Sequence, residues 1–124
     1  MVLILVADDS AFAREMLEKY LHESGFKETL FASSGKEAVE MARKHKPDII
    51  LMDVSMEGEH DGIDALTSVK KLSPKVKVIM VTALAEELIK DQAVAENADG
   101  YLVKPFKKEQ VARAIGFVLG FLPT

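Results

Sequence analysis

Two kinds of segment alternate along this chain, and that alternation restricts its fold more than any other feature. The runs VLILVA (2–7), TLFA (29–32), DIILMD (48–53), VKVIMVT (76–82) and GYLV (100–103) are short, apolar and often β-branched. Most are apolar at successive positions, which predicts strands covered on both faces by helices. Between them the apolar residues recur with a period near 3.6. Residues 10–23 carry Phe12, Met16, Leu17, Tyr20 and Leu21 on one face and stop at Gly25. Residues 35–45 follow Ser33-Ser34-Gly35 and end before Pro47. Residues 62–72 carry Ile63, Leu66 and Val69; residues 85–96 carry Leu88, Ile89 and Val94, the weakest pattern of the set; residues 107–121 form the last helix. Five strands alternating with five helices predict an α/β fold, a doubly wound five-stranded parallel sheet with right-handed crossovers. At 124 residues, one domain over 1–124 accounts for the whole chain.

Composition narrows the function. Hydrophobic content of 48% with 29% charged residues is ordinary for a folded domain. A net charge of −4 argues against nucleic-acid binding, whose footprint is a basic patch. The absence of cysteine removes disulfides and thiolate chemistry and fits a reducing compartment. The opening MVLILVADDS is too short an apolar run to span a membrane and has no basic residues before it. A soluble, cytoplasmic domain without membrane insertion is therefore expected.

In doubly wound sheets the site lies beyond the carboxyl ends of the strands. The first strand ends in Asp8-Asp9, the third in Asp53, the fourth in Thr82 and the fifth in Lys104-Pro105. Three carboxylates brought to one edge repel, and one or more takes up a proton unless a cation sits among them. Hard oxygen ligands with open positions favour Mg²⁺, which keeps waters and bridges to phosphoryl groups. Lys104 would offer a point charge to an anion and Thr82 a hydrogen bond. Together these groups point to phosphoryl chemistry at an aspartate. Each has a blander role when taken alone. Asp9 or Ser10 would serve as a helix N-cap, Asp53 as the ion-pair partner of Lys104, Thr82 as a β-former and Tyr101 as a half-buried strand residue.

At these positions the sequence resembles the receiver domain of two-component response regulators. The matching pieces are ILVADDSAF, PDIILMDVSM, the DG at 61–62, VIMVTA and DGYLVKPF, in order along essentially the whole chain. DDSAF is most similar to single-domain, chemotaxis-type receivers. The resemblance implies a flavodoxin-like sheet of order 2-1-3-4-5. It implies Asp53 as the phosphoacceptor, with Asp8, Asp9, Asp53 and the carbonyl of Ser55 holding Mg²⁺. It further implies Thr82 as the switch hydroxyl, Tyr101 as the aromatic switch, Lys104 as the phosphate-binding lysine and a cis Lys104–Pro105 bond. Such a domain catalyses its own phosphorylation and dephosphorylation and is no conventional metabolic enzyme. Its partners would be a sensor histidine kinase or phosphotransfer protein and a downstream target. The target would dock on a surface built from the fourth helix, fifth strand and fifth helix.

Other readings of the same residues fit less well. DVSMEGEHDGID spaces Asp53, Ser55, Glu57, Gly58, Asp61 and Asp64 as an EF-hand loop does, but a strand precedes it and Asp replaces the final Glu. ADDSAF lacks the glycines of a dinucleotide turn, and its carboxylates would repel a pyrophosphate. A haloacid-dehalogenase-like phosphatase needs a second Asp two residues after the first; Ser10 follows Asp8 at that distance. A degenerate receiver that docks or dimerises without phosphate is the non-enzymatic alternative. Its only support is the loop after Asp53, where Glu57 replaces the family's proline and Gly58-Glu59-His60 adds one residue before Asp61-Gly62. Leu84, two residues after Thr82, is apolar where the family is often polar, and slow self-dephosphorylation is expected. In the last helix Val111, Ile115, Val118 and Leu122 form the core-facing stripe. Phe117 and Phe121 lie well round the helix from it and suggest contact with a partner or a second copy.

Overall fold

A computed structural model of the chain describes residues 1–56, 61–83, 94 and 97–120. The strands are β1 (Leu3–Ala7), β2 (Glu28–Ala32), β3 (Ile49–Asp53), β4 (Lys77–Thr82) and β5 (Gly100–Val103). All pair in parallel, in the order β2-β1-β3-β4-β5. The helices among the described residues are α1 (Ala11–Glu23), α2 (Gly35–His45), α3 (Asp61–Leu72) and α4 (Lys108–Val118). The flavodoxin-like sheet expected from the sequence is present, and element ends agree to within a few residues. Four helices are described where five were expected. The segment 85–96, with Leu88 and Ile89, lies outside the described residues except for Val94, which is helical and fully buried.

Both faces of β1, β3 and β4 are covered, which is why these strands are apolar at successive positions. Leu5, Ile50, Met52, Val78 and Met80 pack on one side with Ala38 and Ala42 of α2 and Leu66 and Val69 of α3. Ile4, Val6, Leu51, Ile79 and Val81 pack on the other with Leu17 and Leu21 of α1 and Val111 and Ile115 of α4. The central strand β3 is buried along its whole length.

Two helix starts have a side-chain cap. Ser10 caps α1 by accepting from the Ala13 amide, and Ser34 caps α2 by accepting from the Glu37 amide. Gly25 holds φ +98° after α1, a conformation that suits glycine. The sequence placed Phe12 on the buried face of α1, and this needs correction because Phe12 is 71% exposed. At 100° per residue it lies about 140° round the helix from Leu17 and about 180° from Leu21. The buried stripe runs through Leu17 and Leu21 instead. In α4 the expected stripe holds at Val111 and Ile115, with Val118 packed against it, and Phe117 is exposed. Phe121 and Leu122 lie outside the described residues.

Candidate functional site

Parallel pairing sets the carboxyl ends of β1, β3, β4 and β5 side by side. Ala7 is opposite Met52, Asp53 opposite Val81, and Thr82 opposite Val103. The residues that follow are thereby gathered at one edge. Asp8, Asp9 and Asp53 each present a carboxylate oxygen, and these three atoms lie within 4.8 Å of one another. Asp8 and Asp53 are buried and Asp9 is exposed, so the cluster opens to solvent on one side. An all-oxygen, triply acidic cluster of this size could hold a hard divalent cation.

Lys104 reaches the same cluster. Its Nζ stands 3.3 Å from Asp8 Oδ2 and 3.6 Å from Asp53 Oδ2. The Lys104 amide donates to the Thr82 carbonyl at 2.7 Å, and the Lys104–Pro105 bond is cis, as expected. Asp53 is pushed up to about 6, foremost by burial and then by the Asp8 charge, with Asp9 adding to it. Lys104 and a hydrogen bond from the Ser55 backbone pull in the opposite direction. The net effect is a site short of positive charge, as three converging carboxylates and one ammonium require.

The sequence-predicted residues divide into those at the cluster and those beside it. Asp8, Asp9, Asp53 and Lys104 meet. Thr82 is buried at the end of β4, adjacent to the strand that ends in Asp53. Tyr101 is 47% exposed on the edge strand β5, three residues before Lys104. Ser55 follows β3 with its side chain exposed, and its backbone meets the Asp53 carboxylate. Glu57, Gly58, Glu59, His60 and Leu84 lie outside the described residues.

Sequence reasoning missed the groups that fix Asp8. Its Oδ1 accepts from the Ser10 amide at 2.9 Å, while Arg14 Nη1 donates to its main-chain carbonyl at 2.6 Å. A basic residue one and a half turns after a strand-end acidic pair is a usable signal for such an anchor. A backbone amide leaves no signal of this kind.

Comparison with known proteins agrees with this geometry. The family model for the response regulator receiver domain matches residues 4–116. The chemotaxis protein CheY of Thermotoga maritima is 36% identical over 115 residues, covering 93% of this chain and 95% of that protein. Among solved structures, the CheX–CheY–BeF3–Mg²⁺ complex from Borrelia burgdorferi contains a chain that superposes with a TM-score of 0.87. The two are 28% identical, over 95% of this chain and 89% of that one. The receiver domain of the sensor histidine kinase PA1611 from Pseudomonas aeruginosa, with magnesium coordinated in its active-site cleft, gives a TM-score of 0.85. Identity there is 26%, over 96% of this chain and 98% of that one. The chain therefore belongs to the response regulator receiver domain family. Within that family it is a receiver of the CheY type, a component of chemotaxis-like two-component signalling.

Proposed function

We propose that the chain, as one receiver domain over 1–124, accepts a phosphoryl group on Asp53 from a histidine kinase or phosphotransfer protein. The observation that carries this is the convergence of Asp8, Asp9 and Asp53 with Lys104 Nζ at one sheet edge. An Asp53 carboxylate oxygen attacks the phosphorus of a donor phosphohistidine. The P–N bond breaks, its electron pair leaves with the imidazole, and an acyl phosphate remains on Asp53. Lys104, already within reach of Asp8 and Asp53, pairs with a phosphoryl oxygen, and the Thr82 hydroxyl donates to another.

The donor set fits Mg²⁺: three hard oxygens within 4.8 Å of one another, partly buried and short of positive charge. Asp8, Asp9, Asp53 and the Ser55 carbonyl would hold it. When bound, Mg²⁺ supplies positive charge that offsets the charge of the transferring group. The magnesium-bearing receiver of PA1611 and the CheY complex with BeF3 and Mg²⁺ support this choice of ion by likeness.

Output runs through protein contact. New charge at the sheet edge draws Thr82 and Tyr101 inward and shifts a two-state surface that includes β5 and α4. Tyr101, Val103 and Phe117 are exposed along that surface, and with Leu102, Gln110 and Arg113 they line an open groove of about 460 Å³. A downstream target protein, or a second copy meeting it through Phe117, would dock in this groove.

Incubation with Mg²⁺ and excess acetyl phosphate, followed by intact mass measurement, tests the phosphoacceptor claim. One phosphate-sized gain is expected on the parent and none on Asp53→Asn. An unmodified parent under donor excess contradicts it and favours a phosphate-independent docking module.

A further inference from the structure

The start of α3 is packed against the back of the proposed nucleophile. A Cβ added at Gly62 would overlap the Asp53 carbonyl oxygen and lie 2.8 Å from both the Asp53 carbonyl carbon and Val54 Cα. Real Cβ atoms do not approach backbone so closely, so only glycine allows α3 to abut the peptide that follows Asp53. The Gly62 amide also donates to the Val54 carbonyl at 2.9 Å. Asp61, one residue earlier, faces the other way. Its Oδ2 accepts from the Gly35 amide at the first residue of α2 at 2.8 Å. A Cβ on Gly35 would fall 2.5 Å from Asp61 Oδ1 and 2.8 Å from its main-chain oxygen.

A continuous line of contact therefore runs from the N-terminus of α2 through Asp61 and Gly62 to the Asp53 peptide. Two glycines make it short, and two hydrogen bonds fix its length. We propose that Asp61 and Gly62 are positioning residues for the Asp53 nucleophile. Gly62 seats the 53–54 peptide, and Asp61 ties that seat to α2. Together they hold the Asp53 carboxylate at its 3.6 Å separation from Lys104 Nζ. The same contacts join Val54 directly to Gly62.

This assignment rests on Asp53 being the phosphoacceptor, and its test keeps the two claims apart. Gly62→Ala, Asp61→Ala and Asp61→Asn are compared with Leu21→Ala, a core change in the other packing layer. All are measured at low temperature, with folding of each checked by circular dichroism. The readouts are the acetyl phosphate reaction rate, Mg²⁺ affinity by calorimetry without donor, and exchange of the Gly35 amide by NMR. Displacement of a reacting group by about an ångström costs on the order of a hundredfold, so Gly62→Ala is expected to react at least about tenfold slower than Leu21→Ala. It is also expected to bind Mg²⁺ several-fold more weakly. Asp61→Ala should expose the Gly35 amide to rapid exchange and slow the reaction several-fold, while Asp61→Asn, which keeps an acceptor oxygen, recovers most of both. Should Gly62→Ala fail to fold, the Asp61 pair decides. Parental rate and parental Mg²⁺ affinity in the folded variants overturn the positioning role. A parent that takes no phosphoryl group overturns the phosphoacceptor claim instead, and Mg²⁺ affinity alone then decides the role of Asp61 and Gly62.

Discussion

Asp53 carries a charge that its surroundings disfavour. Its carboxyl titrates near 3.8 when unperturbed and is pushed up to about 6 in the fold, chiefly by burial. Between these values the native state holds more protons than the unfolded chain, so stability falls as pH rises through that window. The loss is complete above about pH 6 and absent below the unfolded value. In metal-free buffer at pH 7.5, Asp53→Asn is expected to stabilise the fold by about 1–2 kcal/mol, after allowance for solvent screening. At pH 4 the gain should vanish. Urea denaturation at the two pH values checks this, and equal gains at both would contradict it. Asp53 was legible in the sequence because a carboxylate ending an apolar strand needs a partner, and Lys104 supplies one. The hydrogen bond from the Ser55 backbone was not legible. It depends on where the chain turns after β3, and residue type does not encode that.

Elements were readable where periodicity was strong. The central strand β3 declared itself because burial on both faces demands apolar residues at every position. Phe12 misled because hydrophobicity was counted without its angle around α1. The end of α2 was expected from Pro47, but its geometry was not: Lys46 caps the helix with φ 50°, a left-handed conformation that side chains disfavour. Lys46→Gly is expected to raise stability by about 0.5–1 kcal/mol without touching the site, measured as a shift in the urea midpoint at constant slope. A lowered midpoint would mean that the lysine side chain contributes more than its backbone costs. The contact of Gly62 with the Asp53 peptide belongs to this scale too. The DG pair was noticed in the sequence as part of the family pattern, and its physical reason lies in how closely α3 approaches β3.

At the scale of the whole molecule, the described residues form a sheet with two cores and one edge where Asp8, Asp9, Asp53 and Lys104 meet. Leu51, in register with Val6 and Ile79, is almost fully buried at the centre of one core. Leu51→Ala is expected to cost about 3–4 kcal/mol in urea denaturation, against less than about 0.5 for Leu72→Ala on the exposed end of α3. The topology was legible as a whole because each strand end in a parallel sheet points to the same edge. Residues as distant in sequence as Asp8 and Lys104 could therefore be grouped before any geometry was known. The central claim is that this edge carries phosphoryl chemistry on one particular carboxylate. Borohydride reduction of the acyl phosphate to homoserine, followed by peptide mapping, tests it most directly. Homoserine at position 53 alone, formed only when Mg²⁺ and acetyl phosphate are both present, is the expected result. Homoserine at Asp8, Asp9 or Asp61, or at no position, would contradict it.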